Sequence, residues 1–141
     1  MKLYSLLMIA AAGLSVAACN KAESPAEVQH DVSDARADAQ RDVAEAQADS
    51  RESMADAQKD VADAQADRDS GEVADAAQDA SETAAKGDYK VAVAQAEATH
   101  KVAIEKCESL SGSAQKDCKD RADSELDYAK RQAELRRDGT G

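Results

Sequence analysis

Large apolar side chains are unevenly spread along this chain. From Leu3 to Ala18 nearly every residue is apolar or small. From Asn20 to Lys86 the large ones thin to Val28, Val32, Val43, Met54, Val61 and Val73. After Asp88 a seam returns, with Val93, Ala96, His100, Ala103, Cys107 and Leu110 at gaps of three and four. That spacing is the heptad pattern of a helix meeting a partner helix. "SGS" at 111–113 interrupts it, and a helical pattern resumes from Ala114 to about Arg137. Two helices joined by so short a turn are expected to pack antiparallel.

The polar positions carry the stronger periodicity in the first half. Acidic residues fall at Asp31, Asp34, Asp38, Asp42, Glu45, Asp49, Glu52, Asp56, Asp60, Asp63 and Asp67, always three or four apart. The mean step is the 3.6-residue period of an α-helix, so they form one stripe. Val32, Val43, Met54 and Val61 lie roughly opposite, flanked by Gln40, Gln47, Gln58 and Gln65. Related octads begin at Asp31, Asp42, Ser53 and Asp60. Ser24-Pro25-Ala26-Glu27 has the residues of a capping box with proline at the first helical position. Ser70-Gly71 is expected to break or kink the helix. Glu72 to Lys86 then reads as a second piece ending at Gly87 as C-cap, with Asp88 capping the next helix.

The cysteines fit the hairpin. In a turn centred near Gly112, residues whose numbers sum to about 225 face each other. Cys107 and Cys118 obey that rule, as do Ala103 with Ala122 and Ala96 with Ala129, and His100 is set opposite Glu125. A Cys107–Cys118 disulfide is the expected staple.

Composition argues against a globular core. Trp and Phe are absent, and most of the apolar fraction is alanine. So few large side chains cannot offset the ordering entropy of a long segment in a globule. Residues 20–86 hold 18 Asp/Glu against 7 Lys/Arg, whereas 87–141 are nearly balanced. Nucleic acid is therefore not an expected partner, since phosphate binding needs a basic patch. His30 and His100 belong to no metal-ligand motif, no phosphate-binding glycine loop occurs, and the Cys107/Cys118 spacing is not a redox dithiol. No catalytic residue, metal ligand or cofactor is expected.

Lys2 and the apolar run to Ala18 have the layout of a secretory signal peptide, too short for a membrane span. Within it, Val16-Ala17-Ala18-Cys19 resembles the lipobox of bacterial lipoproteins. The resemblance implies that Cys19 receives a diacylglycerol, that cleavage follows Ala18, and that the new amino terminus is acylated, palmitate being a typical chain. Each buried methylene contributes about 0.8 kcal/mol, so several acyl chains anchor durably. Asn20, where that family often carries an aspartate for inner-membrane retention, favours the outer membrane. Export would bring Cys107 and Cys118 into an oxidising compartment, where a disulfide persists.

Three further resemblances bear on function. Cys107, Leu110, Gly112, Ala114 and Cys118 match a Cys-x-x-Leu-x-Gly-x-Ala-x-x-x-Cys pattern similar to that of uncharacterised alanine-rich exported proteins of proteobacteria. The anchored helix resembles the small major outer-membrane lipoproteins, but the ending "RRDGTG" lacks their terminal lysine for wall attachment. The 11-residue Ala-rich repeats resemble late-embryogenesis-abundant proteins.

The expected fold class is all-α: a long acidic Ala-rich helix as a stalk, then a disulfide-stapled antiparallel hairpin, without a globular core. The expected divisions are a signal peptide (1–18), a lipidated linker (19–24), the stalk (25–86, broken near 70–71), the hairpin (87–137) and a flexible tail (138–141). The stalk reads either as a solvated single helix or as a coiled coil with a second copy or another envelope protein. The expected role is that of a non-enzymatic spacer held to the membrane by lipid on Cys19 and facing the periplasm. The alternatives are a binding module, whose hairpin engages a wall or protein partner, and a stress protectant.

Overall fold

Ser24 starts the first helix as its sequence requires. Its hydroxyl accepts from the Glu27 backbone N–H at 3.3 Å, and Glu27 Oε2 accepts from the Ser24 N–H at 2.9 Å. Together they satisfy two backbone donors that a helix start leaves unpaired. The computed structural model describes residues 22–139. It contains three helices: α1 (Pro25–Asp67), α2 (Ser70–Cys107) and α3 (Gly112–Arg137). The fold is all-α, with no strand among the described residues.

The first reversal comes slightly before the expected break. Arg68 adopts a left-handed conformation (φ 58°), and its N–H donates to the Gln65 carbonyl. Asp69 then caps α2, accepting from the N–H groups of Gly71 at 2.8 Å and Glu72 at 3.3 Å. Ser70 and Gly71 therefore open α2 instead of separating two helices. The chain folds back, and α1 packs antiparallel on α2. The acidic helix is thus not a solitary stalk, since its apolar seam is covered from within the same chain.

Inward-facing positions on α1 recur every eleven residues, at Val28, Ala39, Ser50 and Val61. Eleven residues make three turns of 3.67, close to the helical 3.6, so the seam stays in line along α1. Few of these side chains are large. The buried residues of α1 are Val32, Ala39 and Ala64, and those of α3 are Gln115, Ala122 and Ala133. The helices meet along narrow seams rather than around a core.

Gly87 corrects the expected boundary. It does not end a helix; α2 runs unbroken through it to Cys107, and Asp88 lies in the helix interior. A Cβ at Gly87 would lie 3.2 Å from Ser50 Cβ and closer still to Ser50 Oγ. The glycine lets α1 and α2 approach where they cross. It costs about 1 kcal/mol in helix propensity, which the close packing offsets. Because α2 continues past residue 87, the segments 25–86 and 87–137 share a helix and do not part there.

The second reversal, at 108–111, leads into Gly112, whose φ of +61° lies in the left-handed region that glycine enters without steric cost. α2 touches both neighbours, while α1 and α3 do not touch each other. The three helices form a layer with α2 in the middle. α3 covers only the second half of α2, so the molecule has a three-helix base and a two-helix arm ending at Arg68-Asp69. At 1.5 Å per residue the 43-residue α1 is about 65 Å long.

Candidate functional site: the stapled base and the two faces of the layer

The base is built on the α2–α3 register. Cys107 and Cys118 form a disulfide with Cα atoms 5.7 Å apart, and Cys107 is 1% exposed. The same register brings Lys130 to 2.7 Å from Glu97 and Lys119 to 2.5 Å from Glu108, and sets the Arg137 guanidinium 4.6 Å over the Tyr89 ring. His100 departs from the expected pairing. Its Nε2 lies 2.6 Å from Asp123 Oδ1, while Glu125 lines the small cavity beside the ring.

Glu108 gathers the end of the base. Its carbonyl accepts from the Glu23 N–H at 2.9 Å, its Oε2 from Gln115 Nε2 at 2.6 Å, and its Oε1 faces Lys119. The chain thus enters the fold tied to the turn between α2 and α3. Glu23 Oε2 is shielded from solvent without a hydrogen-bond partner among the described residues. Burial pushes the Glu23 carboxyl above its usual value, and the charges of Asp31, Glu108, Glu105 and Glu27 push it the same way. The motif Val16-Ala17-Ala18-Cys19, with the candidate lipid site, lies outside the described residues.

The two faces of the layer differ in charge. On one, Asp56 and Asp60 of α1 meet Glu72, Asp75, Asp79 and Glu82 of α2 around an open groove of about 750 Å³. Lys86 and Lys90 lie at its end nearer the base. The stripe continues into the base, where Asp42, Glu45 and Asp49 lie across from Glu97. Lys101 bridges the seam to Asp42 at 2.6 Å, and that hydrogen bond raises the ammonium's pKa. The carboxylates are spread along the groove rather than converged. Among the described residues no group of three or more His, Cys, Asp or Glu is placed to hold a metal ion.

The opposite face carries a second groove, of about 540 Å³, between α1 and α2. Its floor is Ala39, Val43, Ala98, Val102 and Ala103, and its rim holds Arg36, Gln40, Gln47 and Lys106. No carboxylate lines it. Thr99 and Ala103 also line the cavity next to α3, so the apolar floor extends to Ala122, Leu126 and Ala129, with Glu125 of α3 beside them. No protein-family model matches the chain, and comparison with curated proteins and with solved structures finds no significant similarity.

Among the described residues no helix is long and apolar enough to cross a membrane. The sequence pattern had located the disulfide and the hairpin register. It had missed the Glu23–Glu108 junction and the role of Gly87, because both depend on contacts between residues distant in sequence. The face whose α1–α2 groove lacks carboxylates was partly legible in the glutamines at 40, 47, 58 and 65.

Proposed function

We propose that the chain is a lipid-anchored, non-enzymatic spacer of the bacterial cell envelope, held to the outer membrane through Cys19 and facing the periplasm. The observation that carries the reading is Val16-Ala17-Ala18-Cys19 at the end of a short apolar run. The geometry supports it: Cys19 lies four residues before Glu23, which is tied to the base, so a linker this short would hold the base near the membrane. The tip of the arm would then stand away from it by about the 65 Å length of α1.

Such a protein needs mechanical integrity more than a pocket. A disulfide suits this role at the base, where the load from the anchor enters. The acidic arm would resist collapse onto anionic lipid, because like charges repel within the Debye length of about 8 Å.

Metabolic labelling with a fatty-acid analogue tests the anchor. The wild-type chain is expected to label and to fractionate with the outer membrane, and Cys19→Ser to lose label and leave the membrane. Undiminished labelling of Cys19→Ser would overturn the anchor. Labelled protein in the inner membrane would overturn the location alone.

A further inference from the structure

A layer of helices one molecule thick is an incomplete arrangement. Helices with an apolar stripe are stable when a second layer covers it. Here α1 flanks α2 along its length and α3 flanks its second half, but the groove over Ala39, Val43, Ala98 and Val102 stays open on one face. We propose that a second copy of this chain stacks on that face, joining the two layers about a twofold axis.

Charge decides which face. The acidic groove sets six carboxylates against two lysines, so two such faces would repel if apposed. The other face follows α1 through Gln29, Ser33, Arg36, Gln40, Gln47 and Arg51, then Gln58, Ala62 and Gln65, with no carboxylate. Along α2 it runs through Ala77, Ser81, Ala92, Gln95, Thr99 and Lys106, with Asp88 as its one acid. Arg51 donates to Gln47 Oε1 at 3.2 Å on the groove's rim. Two copies of this face meet without apposing rows of carboxylates, its cations are few, Arg36, Arg51 and Lys106, and the glutamines can hydrogen-bond across the join. Small side chains let the layers approach closely.

The size is sufficient. The 38 residues of α2 span about 57 Å at 1.5 Å per residue. With α1 beside it, and each helix about 10 Å wide, the face offers roughly 1,000 Å² per copy. Stable interfaces bury about 800 Å² per partner. The same charge pattern limits assembly to two copies, because stacking on that face leaves only the self-repelling acidic faces outside. An isologous contact of this kind closes. The proposal rests on the layer's own charge distribution and is independent of the lipid anchor.

The test uses the full chain expressed in cells as two differently tagged copies. A photocrosslinking residue replaces Ala44, an exposed groove-lining position, or Asp49, on the acidic face. Copy-to-copy adducts carrying both tags are expected from position 44 and not from position 49. The double variant Ala44→Glu/Gln47→Glu should cut co-purification of the two tags at least tenfold while circular dichroism of the purified variant stays that of the wild type. Both positions reach solvent, so the added carboxylates need not disturb the monomer. Adducts from position 44 to a different protein, adducts only from position 49, or co-purification unaffected by the double variant would each overturn the proposal.

Discussion

Gly87 and Ser50 form the tightest point of the α1–α2 seam, and a single methyl tests it. In a free helix Gly→Ala is stabilising by about 1 kcal/mol. Here the new Cβ would press on Ser50, whose own Cβ and Cα would lie 3.2 and 3.7 Å away. Overpacking of this kind costs about 1–3 kcal/mol. Gly87→Ala is therefore expected to lower the melting temperature, and to raise it once Ser50→Gly has opened the space. A melting temperature that rises in both backgrounds would place the helices further apart than described. Glu23 is the second sensitive residue. Its carboxyl is raised in the fold, so the folded state holds that proton more tightly than the unfolded chain. Its contribution is most favourable below the unfolded value near pH 4.3 and is lost as pH rises through the raised one. Glu23→Gln should melt higher than wild type at pH 7, with the gap closing towards pH 4. A gap that widens on acidification would reverse the sign of the argument.

Among the elements, α3 depends most on a covalent bond. α1 and α2 share a long seam, whereas α3 has one neighbour and a seam of mostly small residues. The disulfide closes an 11-residue separation, and such a staple contributes about 2–4 kcal/mol in the entropic account. Reduction, or Cys107→Ser with Cys118→Ser, should raise amide exchange across residues 112–137 first. Protection in the middle of α1 should change little, because α3 does not touch it. Equal loss of protection in α1 and α3 would mean that the base folds as one cooperative unit. The disulfide was legible in the sequence because helical rise and one central glycine set the register by themselves. The path of α2 was not. Glycine at position 87 suits a C-cap and a helix crossing equally well, and only the presence of α1 across from it distinguishes them.

At the scale of the whole molecule, electrostatics opposes the fold along one face and leaves the other without a row of carboxylates. The carboxylates on α1 and α2 around the acidic groove stand closer together in the fold than in an unfolded chain. Surface pairs such as Lys59–Asp63 at 2.6 Å and Lys86–Glu82 at 3.5 Å offset only part of this, since exposed pairs contribute about 0–1 kcal/mol each. Added salt screens the net repulsion, with a Debye length that shrinks from about 30 Å at 0.01 M to 3 Å at 1 M. The melting temperature of the full chain should therefore rise between low and physiological salt. A fall over that range would mean that the ion pairs outweigh the repulsion.

The sequence by itself determined what local geometry controls. Alanine propensity and the capping residues set the start of α1, the three-and-four spacing set the acidic stripe, and the short turn paired Cys107 with Cys118. Each involves residues close along the chain, where helical rise and period fix their relative positions. Only the tertiary structure decided that the chain reverses at Arg68-Asp69 into a packed hairpin, that Gly87 marks a crossing within a continuous helix, and that Glu23 is tied to Glu108. It also decided which side of the acidic helix stays exposed. Periodicity specifies which residues share a face, but not what that face meets. That depends on helices brought together from far along the chain, where alanine seams permit several pairings and the reversal at Asp69 selects one.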